Sequence, residues 1–268
     1  MNMTKLKRNT QNLLWTLTVL LLAISCSSDK EDAIGDQAVL SQAELQQILN
    51  TDELAGVADD IVTGLFMNSS NALTGKTNPD CYVAEYSDTG FSVTFTNCAV
   101  DGNENVNGTV MVTYTSEGET LSFTTTFDNF SVDGIEINGT RSYVFEGLVD
   151  QEAFTFTVTS DMTITLADGT VIDETGSKTF GFSFGDTLET SVFTIDGNWT
   201  VSIDENTYAV MVDTTLEGNL ACDYLTSGVM QVSKNGLAVS VDFGDGSCDN
   251  IATIIYPDGT TEEVELDD

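Results

Sequence analysis

Phe154-Thr-Phe-Thr-Val-Thr159 and, two residues later, Met162-Thr-Ile-Thr-Leu166 alternate apolar and hydroxyl side chains at every step. A period of two puts the apolar groups on one face of an extended chain and the hydroxyls on the other, as in a strand half buried in an antiparallel sheet. The alternation recurs in Phe91-Ser-Val-Thr-Phe-Thr96, Val110-Met-Val-Thr-Tyr-Thr115, Phe180-Gly-Phe-Ser-Phe184, Trp199-Thr-Val-Ser-Ile203 and from Tyr208 to Val212. Turn signals punctuate these runs: Asp133-Gly134, Asn138-Gly139, Asp168-Gly169, Asp196-Gly197, Asn235-Gly236 and Pro257-Asp258-Gly259. The expectation is a mainly β domain over residues 78–268, an antiparallel β-meander of about ten to thirteen strands. It should close as a barrel or fold over as a sandwich, because either hides the apolar face and the edges.

Ahead of this domain the period changes. Leu45, Ile48, Leu49, Leu54, Val57, Ile61, Val62 and Leu65 recur at spacings of three and four, which predicts a short N-terminal helical segment over residues 41–67. Ser41 or Thr51 would cap it, with a break near Asn50-Thr51-Asp52. Such a helix packs on the sheet or plugs one end of it; a partner-binding helix is the alternative. Gly118-Glu-Thr-Leu121 leading to Phe130-Ser-Val-Asp-Gly134 recurs as Gly185-Asp-Thr-Leu188 leading to Phe193-Thr-Ile-Asp-Gly197, a faint internal repeat.

The chain opens with Lys5, Lys7 and Arg8, then an apolar run from Leu13 to Ile24, then Ser25 and Cys26, the layout of an export signal. Twelve helical residues rise only about 18 Å, short of the roughly 30 Å hydrocarbon core, so the run is not a membrane span. Leu22-Ala-Ile-Ser-Cys26 resembles the lipobox of bacterial lipoproteins, with Ala23 where Leu is commoner. The resemblance implies a signal peptide over residues 1–25 and a lipid on Cys26, which anchors the chain to a membrane. Ala23-Ile-Ser25 also fits ordinary signal-peptidase cleavage. Cysteine parity favours the lipid, because five cysteines leave one unpaired in an oxidising compartment, whereas lipidation of Cys26 leaves four. Ser27-Ser-Asp-Lys-Glu-Asp32 resembles the export tag of surface lipoproteins in Bacteroidota, implying outward display on the cell outer membrane. Residues 26–40 are otherwise small, polar and charged, a flexible tether.

The chain carries 43 acidic and 8 basic residues, a net charge of −35. Removing residues 1–25 would leave five basic residues against the same 43 acids, a net −38. Nucleic acid and bare anionic membrane are poor partners for such a surface, since both need clustered Lys and Arg.

Cys81, Cys98, Cys222 and Cys248 remain after Cys26 and allow three connectivities. Sequential pairing is favoured, because each pair flanks alternating segments joined by a turn and would staple neighbouring strands. No histidine occurs, which removes Ser-His-Asp and Cys-His catalysis and the usual zinc ligands. No cofactor motif stands out. Asp242, Asp245, Asp249 and Asn250 supply oxygens in a glycine-containing loop, so a calcium site is conceivable, yet Asp and Asn beside Gly are also what a tight turn needs.

The leader, the tag and Gly244-Asp-Gly-Ser-Cys-Asp-Asn250 together resemble a group of uncharacterised surface lipoproteins of Bacteroidota, over the leader and roughly residues 190–266. That resemblance implies no catalytic residues. The expected function is therefore a non-catalytic β scaffold for binding or adhesion, with a glycan, another envelope component or a surface protein as ligand. A secreted carboxylate-based hydrolase acting on polysaccharide is the alternative. Trp199, alone after Cys26, is expected in the core rather than as a sugar platform.

Overall fold

A computed structural model describes residues 40–51, 54–56, 58, 61, 81–100, 103–117, 120–149 and 153–266. Cys26, the leader and residues 26–39 of the expected tether lie outside the described residues, as do 52, 53, 57, 59, 60 and 62–67 of the expected helical segment; Leu40, the last residue assigned to the tether, is instead buried in the core.

The described chain is one antiparallel sheet of thirteen strands in sequential order, preceded by a helix. The strands are β1 (Tyr82–Ser87), β2 (Gly90–Val100), β3 (Asn103–Glu117), β4 (Thr120–Val132), β5 (Ile135–Val149), β6 (Ala153–Thr165) and β7 (Val171–Ser183). They continue as β8 (Val192–Ile203), β9 (Asn206–Asn219), β10 (Ser227–Lys234), β11 (Leu237–Asp245), β12 (Ile251–Ile255) and β13 (Thr261–Glu265). No ladder joins β1 to β13 among the described residues, so the sheet has two edges and is not closed by hydrogen bonding.

The alternation explains both faces. Inward go Val110, Val112, Phe127, Ile137, Met162, Ile164, Ile172, Val201, Val210 and Val232, all at most 4% exposed. The outer face pairs hydroxyls across strands, as in Thr94 with Thr109 at 3.0 Å, Thr124 with Ser142 at 2.8 Å and Thr159 with Ser177 at 2.7 Å. These inward residues form one buried cluster with apolar residues of the helix.

That helix, α1, comprises residues 42–51, 54–56, 58 and 61 among those described. Ser41 caps it: the Glu44 amide donates to Ser41 Oγ at 3.3 Å and the Ser41 amide donates to Glu44 Oε2 at 2.9 Å, a reciprocal capping box. Of the residues whose spacing predicted the helix, Leu45, Ile48 and Ile61 join the core of the sheet and Leu49 and Leu54 pack against it partly buried; Ala55 and Ala58, which the spacing did not include, are buried there too. Thr51 is helical and not a cap; its hydroxyl donates to the Gln47 carbonyl at 2.9 Å.

Two other expectations are corrected. Phe154–Thr159 and Met162–Thr165 belong to a single strand, β6, because Ser160 and Asp161 keep the alternation unbroken. Asn138-Gly139 and Asp196-Gly197 are not hairpin turns but lie inside β5 and β8. Each glycine sits at positive φ where a Cβ would strike a neighbouring strand's carbonyl, 2.2 Å from Asp161 O at Gly139 and 2.3 Å from Ser177 O at Gly197. The glycines there allow close approach within irregular ladders, not chain reversal. Since Asp133-Gly134 does end a strand, the two halves of the faint repeat are structurally different.

Candidate functional site

Strands β3 to β9 run 12 to 15 residues, whereas β10 to β13 run 5 to 9. The long strands continue their inward alternation past the helix-covered core, and there the apolar residues are aromatic. In register, Phe123 of β4 lies beside Tyr143 of β5, Phe145 of β5 beside Phe156 of β6 and Phe180 of β7, and Phe154 of β6 beside Phe182 of β7. Phe123 and Tyr143 stack at 4.5 Å and Phe154 and Phe182 at 4.9 Å, while Phe156 lies 5.3 Å from Phe180. Such pairs contribute roughly 0.5–1.5 kcal/mol each beyond their burial. Exposure grows along this face, from 8% at Tyr143 to 39% at Phe145 and 47% at Phe184. The aromatic field is thus contiguous and left half open.

Between the field and the helix-covered core runs a layer of polar groups on the same face. Thr125, Arg141, Ser160, Gly176 and Trp199 share one register row across β4 to β8. Lys178 and Glu174 lie on the same strand face on either side of Gly176. Four residues of strand separate their Cα atoms by about 13 Å, so the two side chains must lie toward each other along the sheet. Gly176 makes this possible, since a Cβ there would fall 2.5 Å from Trp199 Cα. Lys178 Nζ donates to Glu174 Oε2 at 3.0 Å, with both side chains at most 3% exposed, and stands 4.6 Å over the Trp199 ring. Arg141 Cζ lies 5.8 Å from the Tyr143 ring centroid, where the polar layer meets the aromatic field. Among the described residues, the buried Thr125 Oγ1 and Trp199 Nε1 have no hydrogen-bond partner.

A second charged centre lies where α1 meets β9 and β10. Glu44 Oε1 accepts from Tyr208 Oη and from Lys234 Nζ, both at 2.7 Å. Burial alone would raise the Glu44 carboxyl, but hydrogen bonds from Lys234, the Ser41 amide and Tyr208 outweigh it and hold it down at about 2. Burial and this carboxylate together push the Tyr208 phenol above its ordinary range.

Cys81 pairs with Cys98 and Cys222 with Cys248, with Cα atoms 5.3 and 5.8 Å apart. The second bond differs from the expected staple between strands: it joins the loop after β9 to the loop after β11, across the base of the β10–β11 hairpin. At the end of β11 and in the loop after it each carboxylate closes its own turn: Asp242 Oδ1 accepts from the Gly244 amide, Asp245 Oδ1 from the Ser247 amide and hydroxyl, and Asp249 Oδ1 from the Ile251 amide. The Ser247 bonds hold the Asp245 carboxyl below its usual value. The Asn250 carbonyl accepts from the Leu266 amide, and no group of three potential metal-ligating His, Cys, Asp or Glu forms among the described residues. Trp199 is 6% exposed and belongs to the core.

No family model, curated protein or solved structure matches this chain. Among the described residues no helix is long and apolar enough to cross a membrane.

Sequence reasoning did not single out Arg141, Glu174 or Lys178. Their signal was parity: Arg141 falls on the inward phase of Ile137, Gly139 and Tyr143, and Lys178 on that of Phe180 and Phe182. A charge in the apolar register of a strand is the mark that would have found them.

Proposed function

We propose that the chain is an exported lipoprotein, anchored through Cys26 to the outer membrane, facing outward, whose β scaffold binds an envelope component without catalysing a reaction. The observation that carries this reading is the half-open aromatic field on the inner face of β4 to β7, built from rings that a self-sufficient core would have covered. Around this ligand the sheet acts as the wall of a barrel or sandwich whose edges meet without a shared ladder. Phenylalanine rings offer few partners for sugar hydroxyls, so this face suits an apolar component better than a glycan. The carboxylates turned toward the core, Glu44 and Glu174, each hold a lysine, an arrangement that serves structure rather than hydrolysis.

The two parts of the reading separate experimentally. Cys26→Ser should move the protein from the membrane fraction to the soluble one; a variant that still sediments with membranes in high salt refutes the lipid anchor. The uncharged dye Nile red should bind the protein saturably and brighten, and Phe156→Ser should remove most of that signal. Absence of saturable dye binding refutes the aromatic face as a binding site, whatever the anchor proves to be.

A further inference from the structure

We infer that the outer face of the sheet carries a second binding site, a cleft across β7 to β10 that takes a neutral oligosaccharide. It lies on the opposite face of the sheet from the aromatic field and does not depend on the reading of that field.

Two register rows of outward side chains build the cleft. Thr175, Thr200, Ala209 and Ser233 stand side by side across β7, β8, β9 and β10, and two residues along each strand Asn198, Met211 and Gln231 do so across β8 to β10. Between the rows Trp199 and Val210 turn their side chains into the core, so the floor there is backbone. The first row consists of short side chains, only a methyl group at Ala209, while Met211 and Gln231 stand taller beside it. At one end of the cleft both ladders are irregular, with register shifts between Ile195 and Asn198 on β8 and between Val229 and Met230 on β10. Bulges bend a strand, raise its twist and recur next to binding and active sites. The resulting cleft holds about 530 Å³, within the roughly 300–1,000 Å³ of small-ligand sites.

The chemistry of the lining selects the ligand. None of the lining residues is charged, in a chain with 43 acids. Elsewhere on the outer face opposed hydroxyls bond each other, as Thr157 and Thr179 do at 2.9 Å. Thr175 and Thr200 are opposed in the same way, yet among the described residues the side chains of Thr175, Asn198, Thr200 and Ser233 have no hydrogen-bond partner in the protein. An amide carries donor and acceptor side by side and a hydroxyl serves as either, which complements the adjacent hydroxyls of a sugar. Met211, 47% exposed and opposite Asn198, offers an apolar contact to the C–H face of a sugar ring. Asp173 and Asp213 border the cleft on the same face, and Asp213 accepts from Gln231 at 2.6 Å. Their charge repels acidic sugars and leaves neutral ones favoured.

The test follows the backbone amides of the whole purified chain by NMR as maltotetraose, cellotetraose, xylotetraose or the acidic tetragalacturonate is added. At least one neutral tetrasaccharide should shift Gly176, Asn198, Thr200 and Met211 saturably, and tetragalacturonate should not. Ala209→Gln, whose longer side chain fills the floor, should abolish the shifts, and Asn198→Ala should weaken binding about fivefold, the worth of one neutral hydrogen bond. Both positions are exposed, so both variants should melt as the wild type does. Phe156→Ser should leave sugar binding unchanged, which separates this site from the aromatic face. The inference is overturned if none of the three neutral sugars gives saturable shifts, if the shifts fall on β4 to β6 instead, if tetragalacturonate binds as well as they do, or if Ala209→Gln binds like the wild type.

Discussion

Glu174→Gln should destabilise the fold by about 3–5 kcal/mol, the range for removing one partner of a buried ion pair. Lys178 and Glu174 are 3% and 2% exposed at their side chains, and the Lys178 ammonium also lies over Trp199. The amide is isosteric with the carboxylate, so packing is kept and the loss falls on the charge left in a dry layer of the sheet. For a chain of this size 1 kcal/mol moves the melting temperature by about 2–4 °C, so the variant should melt roughly 6–20 °C lower. The double variant Glu174→Leu with Lys178→Met removes both charges and should recover most of this loss, because the desolvation cost disappears with the attraction. It forfeits the contact of Lys178 with Trp199, worth up to about 2 kcal/mol when desolvated, so recovery should be incomplete. Urea titrations of the three proteins decide the matter. A cost below about 1 kcal/mol for Glu174→Gln would place the pair in the class of solvent-exposed bridges and contradict its burial.

The order of elements was readable because one physical constraint dominates: a strand with water on one side and a core on the other must alternate, and Thr-rich runs such as Met162-Thr-Ile-Thr-Leu166 state this plainly. The helix was readable through the spacing of Leu45, Ile48 and Ile61 and through Ser41 as one of two candidate caps, whereas the reciprocal bond with Glu44 came from the structure. Turns were less legible. Asn138-Gly139 and Asn235-Gly236 are the same dipeptide, yet one lies within a strand and the other reverses the chain, because the carbonyl crowding Gly139 comes from β6 and is not local information. The candidate site was hidden for a related reason. Phe123, Phe145, Phe156 and Phe182 come from four strands, and their adjacency depends on register, which each strand's own alternation leaves open by two residues at a time. Arg141 and Lys178 conflict with the apolar pattern of their strands, and such conflicts cluster where a protein binds something.

Glu44→Gln should cost on the order of 3 kcal/mol at neutral pH, and the cost should fade in acid. Glu44 joins α1 to Tyr208 of β9, 164 positions away, and to Lys234 of β10, with its side chain 18% exposed and that of Lys234 9% exposed. Gln is itself accepted in a capping box, so the substitution spares most of the cap and tests the ion pair. The sign follows from proton binding. The folded carboxyl sits at about 2 against 4.5 for the free side chain, so between these values the unfolded chain binds more protons than the folded one. The Glu44 contribution is therefore complete above about pH 4.5 and is lost as pH falls toward about 2, and a shift of this size corresponds to roughly 3 kcal/mol. Acid also discharges the many other carboxylates and relieves their repulsion, which changes the stability of both proteins together. The informative quantity is thus the difference in unfolding free energy between wild type and Glu44→Gln, measured from pH 7 to pH 2.5. It should stay level down to about pH 5 and shrink below that. A difference that keeps its neutral value at pH 2.5 would mean that Glu44 acts through shape alone and that its charge contributes nothing to holding the helix on the sheet.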